Sequence, residues 1–267
     1  VVFSTNKLAQ AIAQTGKPDF YWALIDLLRS ILPFDSVVVL IFKGENTPVE
    51  ILHKAYGHDV FRLLESDYLA ASYLLDPVYQ LHAQGAEAGI YRLMEIAPDH
   101  FQRSKYFKWY YGRIGMLEEI VIFLPVNEDT TITISLGKDF ASKTPFSPRL
   151  QKNLAEFEDV IYALMRSDWK TRKTIVRPSS QDRGSLVSNL QRVTETRHGI
   201  KLTNRQAEVG ILILRGHSTP SIAATLDLSP QTIKVFRRQL YAKCNISSQS
   251  ALFMMMLPII KEISAFE

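Results

Sequence analysis

The order of helix caps between Leu202 and Lys243 constrains this chain more than any other feature. Thr203 stands before an apolar series, Val209, Leu212 and Ile213, that recurs at helical spacing, and Gly216 supplies a residue able to end the helix in the left-handed conformation. Ser218 or Thr219 then caps a short second helix with an inner face of Ile222, Ala223 and Leu226, the alanine permitting a tight helix crossing. After a three-residue turn, Ser229 caps a third helix with Pro230 at its first position, where a missing amide hydrogen costs nothing. Ile233, Phe236 and Leu240 recur three and four apart and face inward, which leaves Gln231, Lys234, Val235, Arg238 and Gln239 outward.

Two helices joined by a tight turn, with long donors and one methyl-bearing side chain on the exposed face of the second, suit guanine edges, adenine edges and thymine methyls in a DNA major groove. Arg237 and Lys243 point to the side, where phosphates lie, and Thr219 and Thr232 at the helix starts complete the expected contact set. From Lys201 to Leu257 there are seven basic and two acidic residues, a net of +5 in a chain whose total is +4. Positive charge is therefore concentrated in this segment, as a polyanion-binding module requires. A basic bundle that docks another protein is the plainer alternative.

The same stretch resembles the DNA-binding module of the LuxR/FixJ/NarL transcription factors. The matching residues are Leu202, Thr203, Arg205, Glu208, Val209, Gly216, Ile222, Ala223, Leu226, Ser229, Thr232, Lys234 and Lys243. The resemblance implies that Lys234, Val235 and Arg238 approach bases. Three departures stand: Phe236 replaces the usual histidine, Cys244 the usual leucine and Asn245 the usual glycine. Phe236 is expected to repack inward, and asparagine tolerates the left-handed backbone that glycine supplies.

The remaining length allows a second domain of ordinary size, and 46% hydrophobic with 22% charged residues describes a globular chain. A single cysteine, Cys244, permits no internal disulfide and suits a reducing cytoplasm. The longest apolar run, Ala251 to Ile260, is too short to span a bilayer and is interrupted by Pro258, so no membrane association is expected. Helices are expected around 6–14 and 19–31, strands over 36–42 and 49–56, and helices over 60–75, 77–84 and 98–111. A glycine-containing loop through Gly85 and Gly89, a hairpin of 119–126 with 130–137, and a closing helix over 147–166 complete the order.

These elements predict an α+β N-terminal domain, an α/β/α sandwich of the GAF or PAS kind with a mostly antiparallel sheet, followed by an all-α helix-turn-helix domain. The expected boundaries are 1–169 for a small-molecule sensor, 170–199 for a linker with a short helix near 186–197, and 200–267 for the DNA-binding domain. Such sandwiches commonly enclose a ligand between sheet and helices.

Asp76 stands among aromatic residues, including Tyr68, Tyr73, Tyr79, Tyr91, Tyr106, Trp109, Tyr110 and Tyr111. Rings with polar tips suit either a ligand pocket or an ordinary core, and an aspartate before proline also ends one helix and starts another. A carboxylate there is expected to stay wet or to meet a ligand's donor. Asp76-Pro77-Val78, Tyr91 and Gly115 running into 120–125 resemble, in order, the ligand-contacting features of acyl-homoserine lactone receptors. That resemblance implies ligand contacts at Asp76 and Tyr91, while the polar-tipped rings of Tyr73, Tyr68 and Trp109 and the nearby Glu119 complete the expected ligand set. Leu63 and Asp67 stand where those receptors carry Trp and Tyr, and Tyr91 replaces a Trp, so the expected effector is not a standard lactone; with Glu118 and Glu119 near the aromatic stretch, an amine or other donor-rich small molecule is one option.

Neither a dinucleotide nor a P-loop fingerprint occurs, no GxSxG is present and the histidines lack metal-ligand spacing, so no enzyme, cofactor or metal is expected. Ser247 to Leu257 reads as a fourth helix in the last domain, more apolar than one buried face needs, which points to a homodimer reading two half-sites. The expected function is a small-molecule-responsive regulator of transcription that binds double-stranded DNA, of a quorum- or metabolite-sensing kind. The alternative is a phosphorylation-regulated or constitutive regulator whose N-terminal domain only contacts protein.

Overall fold

The computed structural model describes residues 4–171 and 186–265. In chain order the elements are α1 (Thr5–Gln14), α2 (Phe20–Ile31), β1 (Ser36–Lys43), β2 (Val49–Ala55), a π-helical turn (Leu64–Leu69), a 3-10 turn (Ser72–Leu75) and α3 (Pro77–Ala83). They continue with β3 (Gly89–Arg92), α4 (Leu93–Ile96), a 3-10 turn (Phe101–Arg103), α5 (Lys105–Trp109), α6 (Tyr111–Ile114), β4 (Met116–Pro125) and β5 (Thr130–Asp139). The last are α7 (Pro148–Glu156), α8 (Glu158–Thr171), α9 (Leu186–His198), α10 (Asn204–Arg215), α11 (Thr219–Leu226), α12 (Pro230–Lys243) and α13 (Gln249–Ala265). No helix among the described residues is long and apolar enough to cross a membrane.

Two compact units result, and neither is one continuous stretch of chain. The first comprises Val1–Phe61, His82–Glu95 and Gly115–Ser180. Its five strands run antiparallel in the order β2-β1-β5-β4-β3. Alternation along β1, β4 and β5 puts Val37, Val39 and Ile41, Ile120, Ile122 and Leu124, and Ile132, Ile134 and Leu136 on one face. That face shares its core with Phe20, Leu24 and Leu28 of α2, Leu154 of α7 and Ile161 and Met165 of α8. The buried Asp168 carboxylate of α8 accepts the Gly16 N–H at 2.8 Å, which fixes the turn between α1 and α2.

The second unit comprises Arg62–Leu81, Ile96–Ile114 and Gln181–Glu267. It therefore combines the terminal helices with two helical segments from the first half of the sequence.

Several local expectations are corrected. The helices expected over 60–75 and 98–111 are each broken into short helical pieces, a π-helical and a 3-10 turn in the first and a 3-10 turn and α5 in the second. The loop expected through Gly89 holds β3, a four-residue strand paired with β4. The closing helix breaks at Phe157 (φ −103°, ψ 7°) into α7 and α8, and no side-chain cap comes from Ser147, although Pro148 does start α7. Helix α13 continues through Pro258 rather than stopping there. The linker expected over 170–199 lies outside the described residues from 172 to 185, and beyond it α9 forms as expected.

Ile134 is fully buried on the central strand of the sheet. Ile134→Ala is expected to cost about 2–5 kcal/mol, seen in urea as a lowered midpoint with an unchanged slope.

Candidate functional site

The helix-turn-helix forms from local chemistry. Thr203 Oγ1 accepts the Gln206 N–H at 3.3 Å while Gln206 Oε1 accepts the Thr203 N–H at 3.1 Å, a reciprocal cap that satisfies two free amides at the start of α10. Gly216 ends α10 at φ 97°, Ser218 Oγ caps α11 by accepting the Ser221 N–H at 3.2 Å, and Asp227 closes that helix at φ 54°. Ser229 Oγ then accepts the Thr232 N–H at 3.0 Å, with Pro230 first in α12.

On α12, Ile233 and Leu240 are buried, whereas Gln231, Lys234, Val235, Arg238 and Gln239 are exposed. Thr219, Thr232 and Arg237 are half-buried, and the Arg237 guanidinium lies 5.2 Å from the Tyr241 ring centre. Phe236, expected inward, is only half-buried, because it sits at the edge of the inner stripe. Asn245 takes the left-handed backbone at φ 51° in place of a glycine. Lys243 Nζ donates to the Lys201 carbonyl at 2.7 Å.

Within the same unit, Asp76 is buried but neither wet nor waiting for a donor. Its Oδ1 accepts the Val78 N–H at 2.8 Å, and its Oδ2 accepts the Tyr106 and Tyr111 hydroxyls at 3.0 and 2.7 Å. The Tyr79 N–H adds a fourth donor, which matches the acceptor capacity of a carboxylate. Asp76 also ends the 3-10 turn and starts α3, since its extended backbone precedes Pro77 and its carbonyl accepts the Gln80 N–H at 3.1 Å.

Burial pushes the Asp76 carboxyl above the usual carboxylate range, against the opposing pull of those hydrogen bonds. Burial and the adjacent carboxylate likewise hold Tyr106 well above its ordinary value, so its hydroxyl remains a donor.

Tyr68 packs on Tyr110 with ring centres 5.4 Å apart, and Tyr110 stacks on Tyr106 at 6.1 Å. Tyr73 meets Tyr79 edge-on at 5.1 Å. Trp109 is half-buried, beneath the Arg113 guanidinium at 5.4 Å and against Phe253 of α13 at 5.8 Å. Arg113 in turn pairs with the buried Asp67 at 3.3 Å. Asp76, Tyr68, Tyr73 and Trp109 thus belong to the helical unit, linked through Tyr106, Tyr110 and Tyr79.

Tyr91 and Glu119 belong to the sheet unit. Tyr91 on β3 meets Phe123 edge-on at 5.9 Å and donates to the Glu87 carbonyl at 2.9 Å, and Glu119 is buried on β4. Its neighbour Glu118 accepts from Arg92 Nη2 at 2.5 Å and from the Phe146 N–H at 2.6 Å. Among the described residues no group of His, Cys, Asp and Glu is placed to hold a metal ion.

Two residues absent from the expected site stand beside it. Arg215, at the end of α10, directs Nε and Nη2 at the Leu74 carbonyl at 3.4 and 3.3 Å, and burial lowers its guanidinium to about 10, still cationic at neutral pH. Asp99 Oδ1 accepts the Ser218 N–H at 2.9 Å. Burial works to raise the Asp99 carboxyl, but hydrogen bonds from Ser218 and the nearby His100 and His217 together draw it below the usual range. No signal in the local sequence marks either residue.

Comparison with known proteins places residues 201–256 in a match to GerE, described as bacterial regulatory proteins, luxR family. Over 187 residues, 68% of this chain and 93% of the relative, the sequence is 29% identical to an HTH-type transcriptional regulator in the exeN 3′ region of Aeromonas salmonicida. The VqsR LBD domain from Pseudomonas aeruginosa is similar in fold, with a TM-score of 0.54 and 21% identity over 63% of this chain and 97% of that domain.

The raised Asp76 carboxyl has a pH signature. The folded chain holds its proton to higher pH than the unfolded chain, so ionising Asp76 removes stability as pH rises from the unfolded value of about 4 up through the raised folded one. Asp76→Asn has no such loss. The stability of the variant relative to the parent, from urea midpoints at several pH values, is expected to improve steadily over that range; a flat or opposite difference contradicts the burial described.

Proposed function

Because this chain carries, over residues 201–256, the helix-turn-helix domain of the luxR family of bacterial regulatory proteins, and is a homologue of LuxR-type regulators, we propose that it is a small-molecule-responsive transcription factor acting in the cytoplasm as a homodimer on double-stranded DNA. The observation that carries this reading is the face of α12, where Gln231, Lys234, Val235 and Arg238 are exposed together on a helix anchored by buried Ile233 and Leu240. In the proposed complex these four side chains meet base edges in the major groove, while Arg237, Thr219 and Thr232 meet phosphates. Half-exposed apolar side chains on α13, with Met254 65% exposed, support a second copy as the dimer partner.

We propose Asp76, Tyr68, Tyr73 and Trp109 as effector contacts in the helical unit, and Tyr91 and Glu119 in the sheet unit. An effector reaching Asp76 must displace one of the two tyrosine hydroxyls, so it has to bring a donor of its own. The filled carboxylate also favours a second reading, in which this region folds without any effector and only contacts protein. A panel of small metabolites separates the two: a raised melting temperature with a donor-rich compound, lost in Asp76→Ala, supports the effector, and no shift with any compound supports the second reading.

DNA recognition has a direct test. Replacing Lys234, Val235 and Arg238 together with alanine is expected to weaken binding to a selected duplex by roughly 100-fold or more, since each good base contact is worth about 1–3 kcal/mol. For the parent, log affinity should fall linearly with log salt, with a slope near −0.9 for each phosphate contacted. A folded triple variant that binds as tightly as the parent overturns the reading.

A further inference from the structure

The first amide groups of α11 lie at the end of the helix-turn-helix where, in modules of this design, helix N-termini accept a DNA phosphate. That end is already engaged. Asp99 Oδ1 holds the Ser218 N–H at 2.9 Å, and one residue along, the His100 N–H donates to the Gly216 carbonyl at 3.0 Å. Gly216 lies so close to this segment that an added Cβ would stand 2.8 Å from Phe101 Cα, so only glycine allows the approach. Arg215 and the Leu74 carbonyl tie α10 to 72–75, and Trp109 and Phe253 tie α13 to 105–109.

We infer that Asp99 is a phosphate-mimicking latch: its carboxylate occupies the N-terminal end of α11 and must leave before a DNA backbone can reach that end. The inference rests on the DNA-binding reading above. The carboxylate is an anion with two strong acceptor oxygens, and it uses the donor that a phosphodiester would use. Both cannot occupy one N–H, and the two negative charges repel. Thr219, proposed as a phosphate contact, is the residue next to the latched amide.

The latch also has a defined connection to the tyrosine cluster. Residues 99–104 run directly into α5 and α6, which supply Tyr106 and Tyr111 to Asp76. The Leu74 carbonyl that receives Arg215 lies two residues before Asp76. A molecule that displaces either tyrosine hydroxyl therefore acts on the two segments that hold α10 and α11.

The test compares full-length parent, Asp99→Ala, Asp99→Asn and Asp99→Glu for binding to a short duplex selected from a randomised pool, by fluorescence anisotropy at one fixed salt concentration. Freeing the N–H from a charged acceptor is expected to tighten binding by roughly tenfold in Asp99→Ala, a shift typical of losing one charge-assisted hydrogen bond. Asp99→Asn, which keeps an acceptor but no charge, should fall between, and Asp99→Glu should stay near the parent. Should Asp99→Ala fail to fold by circular dichroism, Asp99→Asn carries the same test with the same sign. Affinities equal within twofold across folded variants that all bind the duplex overturn the latch alone. Absence of duplex binding in parent and variants alike overturns the DNA-binding reading and the latch with it.

Discussion

A carboxylate removed from water must find donors elsewhere, and the helical unit is arranged around how Asp76 does so. The Val78 and Tyr79 amides come from its own turn, whereas the two hydroxyls come from Tyr106 and Tyr111, 30 and 35 residues further along. Those two bonds join the 72–80 segment to 105–111 across intervening chain. Loss of either leaves a buried acceptor short of a partner, a more severe fault than loss of a surface contact.

What the clasp holds in place bears on the helix-turn-helix. The Leu74 carbonyl meets Arg215 at the end of α10, and the segment from 99 to 101 meets Gly216 and Ser218 between α10 and α11. Gly216 therefore answers two demands at once: a left-handed helix stop and a close backbone approach to Phe101. Helix α12, by contrast, directs its long donors outward. In the proposed mechanism the unit has two ends, one able to respond to an effector at the tyrosines and one able to engage DNA, and a shared set of contacts between them supplies the coupling that linkage requires.

The legibility of the sequence followed the range of the interactions. Thr203, Gly216, Ser218, Ser229 and Pro230 act within three or four residues, so the three helices of the DNA-binding module could be placed from their caps, and the structure shows the same caps. The hairpin of β4 and β5 was legible for a similar reason, since its strands alternate over a short turn. Between residues 60 and 114 the determining contacts are remote. Asp76 was recognisable as a costly carboxylate among aromatics, but nothing near it names Tyr106 and Tyr111 as its donors. Strand β3 has four residues and depends on β4 for its existence, and the break at Phe157 involves neither proline nor glycine. Asp99 and Arg215 carry no local signal in the sequence, because only the fold brings Ser218 and Leu74 to them.

The central claim is that α12 engages DNA while the segment from 99 to 104 releases the start of α11. Amide hydrogen exchange of the full-length protein, with and without a saturating selected duplex, tests it most directly. Slower exchange across α11 and α12 together with faster exchange in 98–104 is expected when DNA is added. Unchanged exchange in α12, or slowed exchange in 98–104, would contradict it.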